Sequence, residues 1–130
     1  MTGAKADYIN YRIEKSKEVF EDAVILAEKK RWNSCVNRLY YSSFHLVNAL
    51  LFKNGINAQT HSGIKTQFSN HFVKTGKLSI ECGRLYSHLI DWRQESDYVE
   101  YTEFDEQTVV PLIEKVMNLN SEIIKAIAQE

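Results

Sequence analysis

The chain has 130 residues, 44% of them hydrophobic and 25% charged, a length that fits one domain and a composition that excludes general disorder. Sixteen Lys and Arg against 17 Asp and Glu leave a formal net charge of −1, so there is no global electrostatic footprint for nucleic acid or anionic lipid. One Pro and five Gly supply little for a turn-rich β fold, whereas abundant Leu, Ile, Lys and Glu favour helices.

The first amphipathic segment runs from about Asp7 to Lys29, with Ile9, Ile13, Phe20, Ala23 and Ala27 at three- and four-residue steps and Ser16 in one gap. Arg12, Glu14, Lys15, Glu18 and Glu21 form its wet face. Lys29, Lys30 and Arg31 read as a solvated, positive helix end. The second segment begins near Trp32 or Asn33, with Asn33 or Ser34 as cap, and stops at Asn54-Gly55. Val36, Tyr40, Phe44, Val47 and Leu51 form its stripe, widened by Leu39, Leu46 and Leu50. So broad an apolar arc belongs to the central helix of a bundle.

Thr60 can cap a third helix through Ile64, Phe68, Phe72 and Val73, closed by Gly76. Ser79 can cap a fourth, with Leu85, Leu89 and Trp92 inward, and 97–104 reads as a polar, aromatic connector. A last helix carries Val109, Leu112, Ile113, Val116, Leu119, Ile123, Ile124 and Ile127. Pro111 is cheap if Thr108 is the N-cap; a start at Glu106 would place it deeper and predict a kink. Five helices with short connections predict an all-α, up-and-down bundle of four to five antiparallel helices in a single domain over 1–130.

Cys35 and Cys82 have no metal-type spacing, which points to reduced, partly buried thiols in a cytoplasmic protein, with one buried disulfide as the alternative. The opening residues carry no signal-type segment, and the apolar run Leu46–Phe52 is interrupted by Asn48 and too short to span a membrane.

The second helix and its sequel carry a more specific pattern. Asn37-Arg38-Leu39-Tyr40-Tyr41-Ser42-Ser43-Phe44-His45 precedes Asn48-Ala49-Leu50-Leu51 and Gly55. Thr60-His61-Ser62-Gly63, Phe68, Phe72-Val73-Lys74-Thr75-Gly76 and finally Arg93 with Asp97-Tyr98 follow in order. This set resembles the HEPN family, in particular its small stand-alone prokaryotic members, from roughly Phe20 to the C-terminus. The resemblance implies a four- or five-helix bundle, often a homodimer, found in toxin–antitoxin and defence loci. Many such proteins partner a small nucleotidyltransferase. Several HEPN families are metal-independent endoribonucleases in which an Arg is followed, after four to six residues, by a His. Counted from Arg93, those positions hold Tyr98, Val99 and Glu100, so this chain departs from the catalytic pattern.

Two groups of candidate residues follow. Arg93, Asp97 and Tyr98 are the catalytic candidates; Arg93 either contacts phosphate or ties Asp97 and Tyr98 into the connector. Arg38, Tyr41 and His45, at helical spacing, together with His61, are candidates for ligand binding, or else a satisfied polar network beside the core. Tyr98, Tyr101 and Phe104 could stack bases or simply pack. His61 and His71 lack metal spacing, and no cofactor is expected. The leading function is therefore a HEPN-type toxin–antitoxin or defence component that binds RNA, nucleotide, an antitoxin or a partner nucleotidyltransferase. The alternative is a metal-independent endoribonuclease using Arg93 with Asp97 or Tyr98. Apolar and aromatic residues on several helix faces, with the resemblance to a dimerising family, imply a homodimer, so light scattering over a wide concentration range is expected to give twice the 15.1 kDa chain mass. A monomer at every concentration would contradict it.

Overall fold

The computed structural model describes residues 3–98 and 103–129, and the side chains of these apart from 95–98. Five α-helices follow in order: α1 (Gly3–Glu28), α2 (Trp32–Lys53), α3 (His61–Phe68), α4 (Ile80–Tyr98) and α5 (Glu106–Ala128). A π-helical turn, Ser69–Val73, extends α3. No strand occurs among the described residues, so the expected all-α bundle is what forms.

The centre is α2, which packs against each of the other four helices. Along its stripe Val36, Leu39, Tyr40, Leu46, Val47, Leu50 and Leu51 are all buried, whereas Phe44 is half-buried at the stripe's edge. On α1 the inward residues are Ile9, Ser16, Val19 and Ala23. The helix starts at Gly3, earlier than its apolar period suggests, because Ala4, Lys5 and Ala6 are good helix formers that need no core contact.

Local chemistry explains most boundaries. The chain reverses after α1 through Lys30, at φ 59°, and Gly55 and Gly76 take the left-handed conformations of helix stops, at φ 69° and 79°. Thr60 Oγ1 accepts from the Gly63 amide at 2.9 Å, and Ser79 Oγ from the Cys82 amide at 3.1 Å, as expected of N-caps. Other boundaries correct the sequence reading. At the start of α2 the N-cap position falls on Arg31, with no side-chain cap. The Asn33 side chain instead accepts from the Phe104 amide at 2.9 Å, tethering the segment before α5. Helix α4 continues to Tyr98, so the connector begins later than its polar composition implies.

Helix α5 starts at Glu106 with Asp105 as N-cap, whose carboxylate accepts from the Thr108 amide at 2.9 Å. Pro111 therefore sits inside the helix, exposed, and supplies no amide donor to the Gln107 carbonyl one turn before it. The π turn was not expected from the apolar period. Its Val73 lies against Gly83 of α4, where an added Cβ would come within 2.9 Å of a Val73 methyl. Glycine there lets the turn approach α4 closely. Cys35 and Cys82 are free and buried, and burial pushes their thiols up to about 11 and about 12, so they pack rather than react.

A polar layer crosses this apolar core. Ser16 Oγ of α1 donates to the Ser42 carbonyl of α2 at 2.7 Å. Ser43 Oγ donates to Asn120 Oδ1 of α5 at 2.7 Å, and Asn120 Nδ2 donates to Ser42 Oγ at 3.0 Å. Ser42 Oγ in turn donates to the Leu39 carbonyl at 2.7 Å. Every member is buried, so removing one strands another without water. Asn120→Ala is expected to lower unfolding stability by about 1–3 kcal/mol, measured by urea denaturation at unchanged m-value. A loss under about 0.5 kcal/mol, typical of surface changes, would mean that water replaces the amide.

Candidate functional site

The site begins with Tyr40, whose position in the apolar stripe takes its ring wholly into the core. A buried phenol needs a polar partner, and Tyr40 finds one in His61, whose Nδ1 lies 2.6 Å from the hydroxyl. The Thr60 cap delivers His61 to this place as the first residue of α3. The imidazole is further held against Phe44, with ring centroids 4.9 Å apart.

Helix α4 brings Arg93 to the Tyr40 ring. Its guanidinium carbon sits 5.5 Å from the Tyr40 ring centroid, and its NH1 makes a long contact of 3.5 Å to the Tyr41 hydroxyl. The residue is only 8% exposed. Behind Tyr40, the buried Tyr86 ring lies nearly parallel at 5.9 Å. Three structural elements thus converge: α2 supplies two tyrosines, α3 an imidazole and α4 a guanidinium.

Burial, and then the charge of Arg93, hold His61 below the ordinary histidine range. Burial pushes the Tyr40 phenol up to about 12, against the opposing pull of Arg93. At neutral pH the site therefore combines a neutral His61 imidazole, a protonated Tyr40 phenol and the Arg93 guanidinium. A guanidinium so placed can hold an oxyanion, and a neutral imidazole can accept or relay a proton.

The structure gathers Arg93, Tyr41 and His61 from the sequence-derived candidates. Asp97 and Tyr98 lie on α4, about one turn beyond Arg93, but their side chains are outside the described residues, and so is any Arg93–Asp97 pairing. Tyr101 is likewise outside them, while Phe104 packs against the core. His45 meets Arg12 of α1, whereas Arg38 contacts residues of its own helix. The Arg38 guanidinium carbon lies 5.1 Å from the Tyr41 ring centroid, with Nε donating to Asn37 Oδ1 at 2.9 Å. Arg12 NH1 donates to His45 Nδ1 at 2.8 Å.

Two members were not legible as site residues. Tyr40 reads as core, although its hydroxyl among apolar stripe positions was a signal; Arg12 reads as wet face and carried none. His71 is exposed on the π turn, away from His61. Among the described residues no helix is long and apolar enough to cross a membrane.

His45 generates a testable pH dependence. Burial first, then Arg12, Lys15 and Arg38, lower it from 6.5 to about 4. Above pH 6.5 the folded and unfolded states are both neutral at this residue. Below it the unfolded chain binds the proton first, so stability is lost as pH falls from 6.5 toward about 4. His45→Gln is expected to flatten the melting-temperature profile across that window. Parallel profiles for the two proteins would show that His45 titrates normally.

Comparison with known proteins agrees with this architecture. The HEPN domain family model matches residues 9–127. The chain is 37% identical over 123 residues to a UPF0332 protein of Thermotoga maritima, covering 95% of this chain and 93% of the relative. It is 32% identical over 103 residues to a Methanocaldococcus jannaschii protein named "Putative toxin MJ0142", covering 79% and 70% respectively. A third relative, from Archaeoglobus fulgidus and also named a UPF0332 protein, is 28% identical over 82% of this chain and 85% of its own length. With the family model spanning nearly the whole chain and the helical bundle it implies in place, the chain belongs to the HEPN family.

Proposed function

We propose that this protein is the HEPN component of a toxin–antitoxin pair and engages RNA through a phosphate held at Arg93. The observation that carries this reading is the convergence of the buried residue Arg93 with the Tyr40 ring and the Tyr41 hydroxyl, beside an imidazole held below the ordinary histidine range by burial and then by Arg93. A planar, multiply donating guanidinium set against a tyrosine ring and a tyrosine hydroxyl suits a phosphodiester oxygen. Likeness to a relative named a toxin supports an antitoxin partner, and the family resemblance supports a homodimer.

A second reading, a metal-independent endoribonuclease, draws on His61 rather than on Asp97 or Tyr98. The neutral His61 imidazole next to Arg93 supplies a proton-transfer group and a charge stabiliser, the two parts that phosphodiester cleavage by internal attack of a 2′-hydroxyl needs.

One set of variants tests both. Arg93→Lys keeps the charge but loses the planar fork; Arg93→Ala loses both. Single-stranded RNA binding is expected to weaken in both variants. The slope of log K against log salt should become shallower, by roughly 0.7 for one lost contact to a single strand, only for Arg93→Ala. Binding unchanged in both folded variants would overturn the reading. Incubation with total RNA in EDTA separates the second reading: cleavage by the parent protein that His61→Ala abolishes supports it, and intact RNA excludes it.

A further inference from the structure

Arg12 belongs to no motif, yet its side chain is fixed more completely than an ordinary surface arginine. On α1 its Nε donates to the Tyr8 hydroxyl at 3.0 Å, its NH1 donates to His45 Nδ1 at 2.8 Å, and its guanidinium carbon lies 5.4 Å from the Tyr8 ring centroid. Because arginine only donates, His45 Nδ1 must accept, and the neutral ring keeps its proton on Nε2. That leaves the Arg12 NH2 group and the His45 Nε2–H as further donors. On α2 itself, Arg38 lies near enough to act on His45 and spends Nε and NH2 on Asn37 Oδ1, at 2.9 and 2.5 Å, leaving NH1.

Both arginines are half-buried, and neither pairs with a described carboxylate. The ion pairs found among the described residues, Lys15–Glu18 and Lys17–Glu14, lie on exposed parts of α1. Positive charge accumulates at the α1–α2 seam, since Arg12, Lys15 and Arg38 all act on His45. Neutral acceptors and tyrosine faces thus orient two guanidinia without cancelling their charge, an arrangement suited to an anion.

The seam is continuous with the Arg93 site through Tyr41. Its ring carries Arg38 and its hydroxyl meets Arg93 NH1. From Tyr41 to His45 is four residues, about 6 Å along the helix at 1.5 Å per residue, a step comparable to one nucleotide of a flexible strand. We infer that Arg12 and Arg38, with His45 as a positioning residue, form a second phosphate subsite that takes a neighbouring phosphate of a single-stranded RNA running along α2. This rests on the reading of Arg93 as an RNA phosphate contact. It assigns the strand its path and brings α1 into binding. The tyrosine-backed guanidinia also offer planes to unstacked bases, which a duplex does not expose.

The test uses a labelled single-stranded oligoribonucleotide of about a dozen residues, its duplex, and a dinucleoside monophosphate carrying a single phosphate. Arg12→Ala, Arg38→Ala, His45→Gln and Arg93→Lys are compared by anisotropy and competition, each first shown to melt cooperatively. Arg12→Ala is expected to weaken the oligonucleotide about tenfold, equal to about 1.4 kcal/mol. Its salt slope should drop by roughly 0.7, with no effect on the single-phosphate ligand. Arg38→Ala should behave alike, and His45→Gln should weaken binding without changing the slope. If Arg93→Lys weakens every ligand while Arg12→Ala and Arg38→Ala weaken none, the second subsite is overturned and the Arg93 reading stands. Equal loss for the single-phosphate ligand in Arg12→Ala, or a duplex bound as tightly as the single strand, also overturns it. If no variant alters RNA binding, the Arg93 reading fails first.

Discussion

The position of the candidate site side chains on α2 depends on how that helix is rotated, and the buried amide of Asn120 ties that rotation to α5. Apolar contacts alone tolerate small slides and turns of one helix against another, because dispersion is non-directional. A carboxamide that must both accept from Ser43 and donate to Ser42 tolerates far less. The Ser16 hydroxyl locks α1 to the same turn of α2. Ser42 and Ser43 immediately follow Tyr40 and Tyr41, so the register that satisfies the serines also sends Tyr40 into the core and Tyr41 to its edge. Polar specification of the core and placement of the site are thus two consequences of one constraint.

From that rotation the chemistry follows in layers. Tyr40 carries a hydroxyl into the interior and must find a partner there; His61, delivered by the Thr60 cap, is within reach. Arg93 reaches the same ring from α4. Burial first, and then the charge of Arg93, lowers the His61 imidazole, and the same logic recurs at the second cluster, where burial and then Arg12 lower His45. In both places a histidine adds directional hydrogen bonding without adding charge. The positive potential of this face therefore comes from arginines, which do not titrate in the physiological range.

This arrangement also reconciles a near-neutral chain with an anion-directed reading. A net charge of −1 describes the whole surface, but recognition acts over about a Debye length, roughly 8 Å at physiological salt. Arginines gathered along α2 dominate their own surroundings regardless of acidic residues elsewhere. Tyrosine rings beneath Arg12, Arg38 and Arg93 hold these side chains with little loss of charge. Carboxylate partners would have fixed Arg12 and Arg38 equally well and neutralised them.

The sequence by itself determined the helices and the identity of the central one. Amphipathic period, caps and glycine stops are local, and each is written in residues a few positions apart: Thr60 with Gly63, Ser79 with Cys82, the stripe from Val36 to Leu51. It also determined the family, through an ordered set of short motifs. Boundaries that depend on distant partners were not legible. Asn33 leaves the capping role to hold Phe104, α4 runs on to Tyr98, and Gly83 opposes Val73 across a π turn that no local period announces. The site was legible in part, since Arg93, Tyr41 and His61 were singled out, but their grouping with Tyr40 was not. Nor could sequence pair Arg12 with His45, 33 residues apart. Helical spacing tells which residues share a face of one helix; which faces meet is decided by packing between helices, and tertiary structure alone supplies that.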